Sequence, residues 1–283
     1  MLFVTDRAAN PAEELFPKNQ TRRFTYFVTY KELSEMFRTI LTLLAATILF
    51  PVPGRAQSVD EVIAKNIQAH GGLERLKSVT TMRASGKFRA GSFRAAFLQE
   101  NKRPDKVREE FILQGLAQVR AYDGKAGWQV DPFGGRKDPE LLAEDDMKNL
   151  VVEADIDGPL VDYQQKGHKA ELMGHDSVEG TDCYKIKLTL KNADLRYYYL
   201  DADSFLELKL ETQTMVRGAI KERETYYGDY EKVGGIYYPF AIETSAKGNP
   251  DRVMLTVEKI EINVPLSDNL FSMPTTRPGP KNQ

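Results

Sequence analysis

The feature that most constrains this chain is a two-residue apolar period that begins near Thr81 and recurs almost to the C-terminus. Met82, Ala84, Gly86, Phe88 and Ala90 alternate with Thr81, Arg83, Ser85, Lys87 and Arg89. Successive side chains of a strand point to opposite faces, so this pattern makes a strand with one apolar and one wetted face. Ala90-Gly91 then leads into Phe93, Ala95 and Phe97 as a hairpin, and Val107, Phe111 and Leu113 continue the pattern, interrupted by Glu109. Asp123-Gly124 is a favoured two-residue hairpin turn because both positions tolerate positive φ. It joins a strand ending at Tyr122 to one carrying Trp128 and Val130.

The same period returns near Ala170. Tyr184, Ile186, Leu188 and Leu190 form one face, Leu206, Leu208 and Leu210 another, and Ile236, Tyr238, Phe240 and Ile242 a third. In the last stretch the apolar phase flips between Val257 and Ile260, which predicts a β-bulge. The total is roughly ten antiparallel strands joined by short turns.

Helical signals are few. Ser58-Val59-Asp60-Glu61 is a capping box, and Val59, Val62, Ile63 and Ile67 follow as one stripe that must pack on something. Asp138-Pro139 predicts a second helix through Leu141, Leu142, Met147, Leu150 and Val151, since proline suits a first helical turn. Gly158-Pro159 predicts a third through Leu160, Val161 and Tyr163. Strand twist accumulates, so a sheet of this length curls, and its interior needs a plug, a ligand or a lid. The predicted helices, within 58–77 and 138–165, are the material available. A closed, side-chain-filled β-domain with helices outside is the alternative.

Upstream, Met36 to Gln57 read MFRTILTLLAATILFPVPGRAQ: a basic start, a short apolar run and a small-residue site, with cleavage expected after Ala56. Residues 1–35 show no organised periodicity and are expected to lie outside the native protein or to be disordered. Residues 57–283 are expected to form a single β-rich domain. Of the 39 Lys and Arg and 41 Asp and Glu, residues 1–56 hold seven and five, leaving 32 against 36 and a net charge of −4. A mildly acidic chain without a basic block argues against nucleic acid as a partner. Cys183 is the single cysteine, so no internal disulfide exists, and no cysteine stands at the cleavage site to carry a lipid anchor.

Motifs for catalysis are lacking. His70, His168 and His175 have no metal-binding spacing, and there is no nucleophile elbow or phosphate loop. Asp201-Ala202-Asp203-Ser204 lacks the glycine and distal glutamate of a calcium loop and is read as a polar turn. No enzyme activity, cofactor or metal is expected.

Residues 101–133 carry a resemblance. Lys-Arg-Pro-Asp at 102–105, Asp-Gly-Lys at 123–125, Trp128 and Asp131-Pro132-Phe133 resemble, in order and spacing, the periplasmic lipoprotein-carrier (LolA-like) family, and Leu270 to Pro274 is similar to its C-terminal segment. Val107 stands where that family usually has an aromatic residue, and 180–235 holds extra strand material. The resemblance implies an α+β, mainly antiparallel fold: a strongly curved half-open β-barrel with short helices covering the concave opening. It implies a soluble periplasmic carrier of acylated lipoproteins or another lipid, taking cargo from an inner-membrane release complex toward an outer-membrane acceptor. An envelope sensor with the same fold is the alternative, and a lipid-metabolising enzyme a less favoured one. It also implies that Arg103 gates the lid, since a guanidinium can donate several hydrogen bonds to helix carbonyls. The expected ligand lining is Phe88, Phe97, Phe111, Trp128, Leu206 and Leu208 from the sheet, with Leu141, Leu142, Met147 and Leu150 from the lid.

Overall fold

A computed structural model of the chain describes residues 57–274; the expected leader up to Ala56, and residues 1–35, lie outside these. Helix α1 (Val59–His70) opens on the anticipated capping box: Ser58 Oγ accepts from the Glu61 amide at 3.2 Å, and the Glu61 carboxylate accepts from the Ser58 amide at 3.1 Å. Each bond satisfies an amide that a helix start leaves without an intrahelical partner. A short α2 (Leu73–Ser78) follows.

One meander then runs β1 (Thr81–Ala90), β2 (Phe93–Lys102), β3 (Lys106–Leu113), β4 (Leu116–Tyr122), β5 (Gly127–Asp131) and β6 (Arg136–Leu141). The chain leaves the sheet as helix α3 (Glu144–Glu153) and a run of turns through 155–167. A second meander runs β7 (Lys169–Val178), β8 (Thr181–Thr189), β9 (Leu195–Asp201), β10 (Glu207–Val216), β11 (Ala219–Val233), β12 (Ile236–Ala246) and β13 (Val253–Ile262). All pairings are antiparallel, in the order β6-β5-β4-β3-β2-β1-β13-β12-β11-β10-β9-β8-β7. The β1–β13 pairing joins the two meanders into one sheet. Because β6 and β7 do not pair, that sheet curls without closing, which settles the fold as a mainly antiparallel open barrel with a few short helices.

Among the described residues thirteen strands replace the roughly ten expected. The three unread ones, β6, β9 and β11, carry no clean alternation. β9 holds Tyr197, Tyr198 and Tyr199 on both faces, and β11 begins in the charged run Lys221-Glu222-Arg223-Glu224. The expected helix start at Asp138-Pro139 is corrected: both residues belong to β6, an edge strand, where proline's missing N–H costs the ladder little. The expected helix at Gly158-Pro159 is also corrected. Gly158 and Asp162 adopt positive φ (74° and 54°), and the segment closes into turns that bury Leu160 and Val161. Tyr122 pairs with Gly127, so 123–126 is a four-residue connection, not a two-residue turn.

The phase flip in β13 is a bulge. Ser85 pairs with Lys259 but Gly86 with Val257, leaving Glu258 extra. The strands approach so closely here that a Cβ on Gly86 would lie 2.0 Å from the Thr256 carbonyl oxygen and 2.7 Å from the Phe97 ring.

The main core lies where α1 enters the concavity. Val62 and Ile63 pack on Ile186, Leu188, Leu200 and Leu210 of β8 to β10, with Leu160 from the turn segment. The face opposite the concavity has its own cover at the first meander. The C-terminal segment places Phe271, fully buried, beneath Trp128, whose Nε1 donates to the Phe271 carbonyl at 2.7 Å. Among the described residues no helix is long and apolar enough to cross a membrane.

Candidate functional site

Helix α3 crosses the open concave face and stops short of filling it. Leu150, fully buried, seats the helix on Val107 of β3, with Leu142 and Tyr122 beside it. The other end is tied to the β10–β11 hairpin: Arg217 pairs with Asp146 at 2.6 Å, and Lys148 Nζ donates to the Met215 carbonyl at 2.5 Å. Between α3 and the sheet lies a chamber of about 580 Å³.

Its lining has two characters. Across β12, β13, β1, β2 and β3 the inward residues are Ile242, Leu255, Phe88, Phe97 and Phe111, with Phe88 and Phe111 edge-on at 4.9 Å between ring centres. Nearer α3 the inward residues turn polar: Gln99 and Glu109 from β2 and β3, Asn149 and Glu153 from the helix, and Arg196, Thr212 and Arg223 from β9 to β11. Arg196 pairs in register with Thr212, and Thr212 with Arg223, so these three form one row across neighbouring strands.

Glu153 meets chamber space with its surface, yet protein surrounds it. That enclosure, together with the negative charge and hydrogen bond of the adjoining Glu109 carboxyl, raises its pKa well above the ordinary carboxyl range against the pull of Arg120 and Arg196. Arg196 Nε is buried without a hydrogen-bond partner. Neither Arg196 nor Arg223 forms an ion pair among the described residues.

Of the residues expected to line the interior, Phe88, Phe97 and Phe111 do so. Leu142 and Leu150 instead serve to seat α3. Met147 turns toward β5, where its sulfur accepts from the Gly127 amide at 2.9 Å; a Cβ at Gly127 would meet that side chain at 2.7 Å. Four expectations are corrected. Trp128 faces away from the chamber, because Val107, Glu109 and Phe111 take the inward positions of β3 while Trp128 stacks near the outward Arg108. Leu141 ends the edge strand and is 65% exposed. Leu208 is displaced by a bulge between Glu207 and Lys209 and packs outward with Cys183 and Tyr199. Leu206 sits in the turn before β10, away from the chamber. Sequence reasoning missed Arg196, Arg223 and Glu153 as inward groups, since a charge in a strand or on a helix reads as solvent-facing.

Arg103 follows β2 and lies outside the chamber. Its Nε donates to the Val79 carbonyl at 2.6 Å and Nη2 to the Leu76 carbonyl at the end of α2 at 3.1 Å. Both terminal nitrogens grip Asp157 of the turn segment, at 2.8 and 2.5 Å. Burial alone would raise the pKa of Asp157; hydrogen bonds from Arg103 and Lys77 outweigh it and hold the carboxylate below its ordinary range. Arg103 thus ties α2 to the 155–162 turns.

His70 bridges α1 to the second meander, lining with Leu76 and Asp157 a cavity of about 220 Å³. Its Nε2 meets Glu207 at 2.7 Å and its Nδ1 donates to the Tyr237 carbonyl at 2.8 Å. Tyr230 donates to Glu207 as well. Cys183 is fully buried, and burial raises its thiol pKa, which disfavours the nucleophilic thiolate. Asp201 Oδ1 accepts from the amides of Asp203 and Ser204, so that acidic stretch is the polar turn anticipated.

A family model described only as an uncharacterized protein matches residues 154–275. No curated protein matches the chain in sequence. Among solved structures, a DUF1329 family protein from Desulfovibrio piger is similar, with a TM-score of 0.53, 14% identity, and coverage of 77% of this chain and 98% of that one. A LolA superfamily protein from Nitrosomonas europaea matches with a TM-score of 0.53 at 13% identity over 77% of this chain and 98% of that one. An outer membrane lipoprotein-sorting protein domain from Vibrio parahaemolyticus gives 0.50 at 12% identity over 75% and 94%. The chain has the open-barrel fold of the LolA superfamily.

Proposed function

We propose that this protein is an exported periplasmic carrier that holds the acyl chain of a lipid or lipoprotein in the chamber and hands it toward the outer membrane. The observation that carries this reading is the chamber of about 580 Å³ walled on one side by Phe88, Phe97, Phe111, Ile242 and Leu255. That volume falls within the roughly 300–1,000 Å³ of ordinary ligand sites. Each methylene hidden there from water contributes roughly 0.8 kcal/mol, so even a short aliphatic chain is held well.

The Arg103 contacts support a gating role. Arg103 holds α2 and the 155–162 turns together, and a ligand that parts them must break those bonds, which couples occupancy to closure. An inner-membrane release complex and an outer-membrane acceptor are the partners this reading requires. The test is to purify the protein from a bacterial host, extract it with organic solvent and analyse the extract by mass spectrometry, alongside lipoprotein release from spheroplasts. Intact acylated material and stimulated release are expected. Absence of both removes the carrier reading.

A further inference from the structure

The chamber is not uniformly apolar, and a ligand that filled it with hydrocarbon alone would leave charges uncompensated. Half-buried Arg196 and exposed Arg223 point into it in one row, two strands apart across Thr212, without an ion pair among the described residues. The Arg196 Nε is buried and lacks a hydrogen-bond partner, a costly state for a guanidinium group. The carboxyls on the same side form no ion pair with either arginine among the described residues. Glu109 lies 4.0 Å from Arg120, and Glu153 lies against Glu109 in an enclosure that favours its protonated form.

The two poles of the chamber also differ in outlet. At the polar end, Asn149, Glu153, Thr212 and Arg223 are shared with a second, wetter cavity of about 660 Å³ that adds both Arg217 and Lys221 and the acidic Asp145, Asp146 and Glu222. The apolar rows lie on the other side, toward β12, β13, β1 and β2. A chamber of about 580 Å³ lies in the roughly 300–1,000 Å³ range of sites that take one small ligand, room enough for an aliphatic chain.

Resting on the carrier reading, we propose that the preferred ligand is a single-chain amphiphile with an anionic headgroup. Its head sits under α3 between Arg196 and Arg223, and its tail runs along Phe88, Phe97, Phe111 and Leu255. Arginine suits this task because its donors can engage carboxylate or phosphate oxygens in pairs.

The test uses three probes with the same tail: dodecyl phosphate, dodecyl maltoside and dodecyltrimethylammonium. Each is titrated calorimetrically, below its micellar concentration, into the delipidated full chain, with inorganic phosphate as a fourth titrant. Dodecyl phosphate is expected to bind at least about tenfold more tightly than the other two, or about 1.4 kcal/mol. Inorganic phosphate alone is expected to give no heat of binding. The Arg196→Met/Arg223→Met variant is expected to lose the preference for dodecyl phosphate over dodecyl maltoside. Circular dichroism of that variant must match the parent; if it does not, the single variants Arg196→Gln and Arg223→Gln are read for the same loss. Equal affinity for all three tails, or a preference that survives in the variants, overturns the headgroup assignment and leaves the carrier reading standing. Tight binding of inorganic phosphate alone overturns it too, in favour of a plain anion site. Failure of every dodecyl probe to bind removes the carrier reading itself.

Discussion

Replacing His70 with Gln tests the ionic bridge between α1 and the second meander. The His70 and Glu207 side chains are 18% and 16% exposed and 2.7 Å apart. Burial works against the imidazolium, yet the charge and hydrogen bond of Glu207 and the Tyr237 carbonyl outweigh it, lifting His70 from its ordinary 6.5 to about 9. A raised folded-state pKa contributes stability that is fully present below pH 6.5 and is lost as pH climbs through about 9. Glu207, held below its ordinary 4.5 by the same partner despite burial, contributes above that pH and loses its share on acidification. The pair therefore acts in full between about pH 4.5 and 6.5. At about 1.36 kcal/mol per pH unit, the span from 6.5 to about 9 is worth about 3 kcal/mol. Urea unfolding, followed by the fluorescence of the single, buried Trp128, measures it at pH 6 and pH 9. His70→Gln is expected to lose about 3 kcal/mol relative to the parent at pH 6 and much less at pH 9. A parent-minus-variant difference that does not change between these pH values refutes the assigned coupling.

Arg103→Leu is expected to load lipid normally but slow its transfer to acceptor vesicles; unchanged transfer kinetics would leave Arg103 a purely structural clamp. Gly86→Ala places a methyl 2.0 Å from the Thr256 oxygen and is expected to cost about 1–3 kcal/mol in thermal unfolding; a neutral result means the bulge can open at no cost. Trp128→Phe removes the bond to the Phe271 carbonyl and is expected to cost about 1 kcal/mol and to speed amide exchange in 265–274, with cavity binding unchanged. A loss of ligand affinity there would return Trp128 to the lining.

The legible part of the fold is the part where burial has one sign per face. β1 and β8 alternate because one side meets the core and the other meets water, and their positions follow directly from period two. The Ser58 capping box and the bulge opposite Gly86 were equally readable, since each rests on local spacing. β11 was not. Its inward residues include Arg223 and Thr225 because they face a polar pocket, so the alternation that marks a strand vanishes at the place where the site is built. Trp128 failed for a different reason. Its alternation with Val130 read as an inner face, but the C-terminal segment supplies a second apolar cover on the outside, a contact more than a hundred residues away in sequence. Phe88 and Phe97 face the chamber from strands that alternate cleanly, and Phe111 does so despite the Glu109 that interrupts its strand.

The unpaired margins of the sheet carry a consequence for how such a protein survives in company. A strand with free amides and carbonyls invites a neighbour to zip alongside it. Here β6 meets that hazard with Arg136, Lys137, Asp138 and Pro139, and β7 with the exposed Lys169, Glu171 and Asp176 together with a register slip at Gly174. Clustered charge, a missing donor and an interrupted ladder each discourage fibre-like stacking. An incomplete cylinder can then keep its hollow accessible without its own rims gluing molecules together.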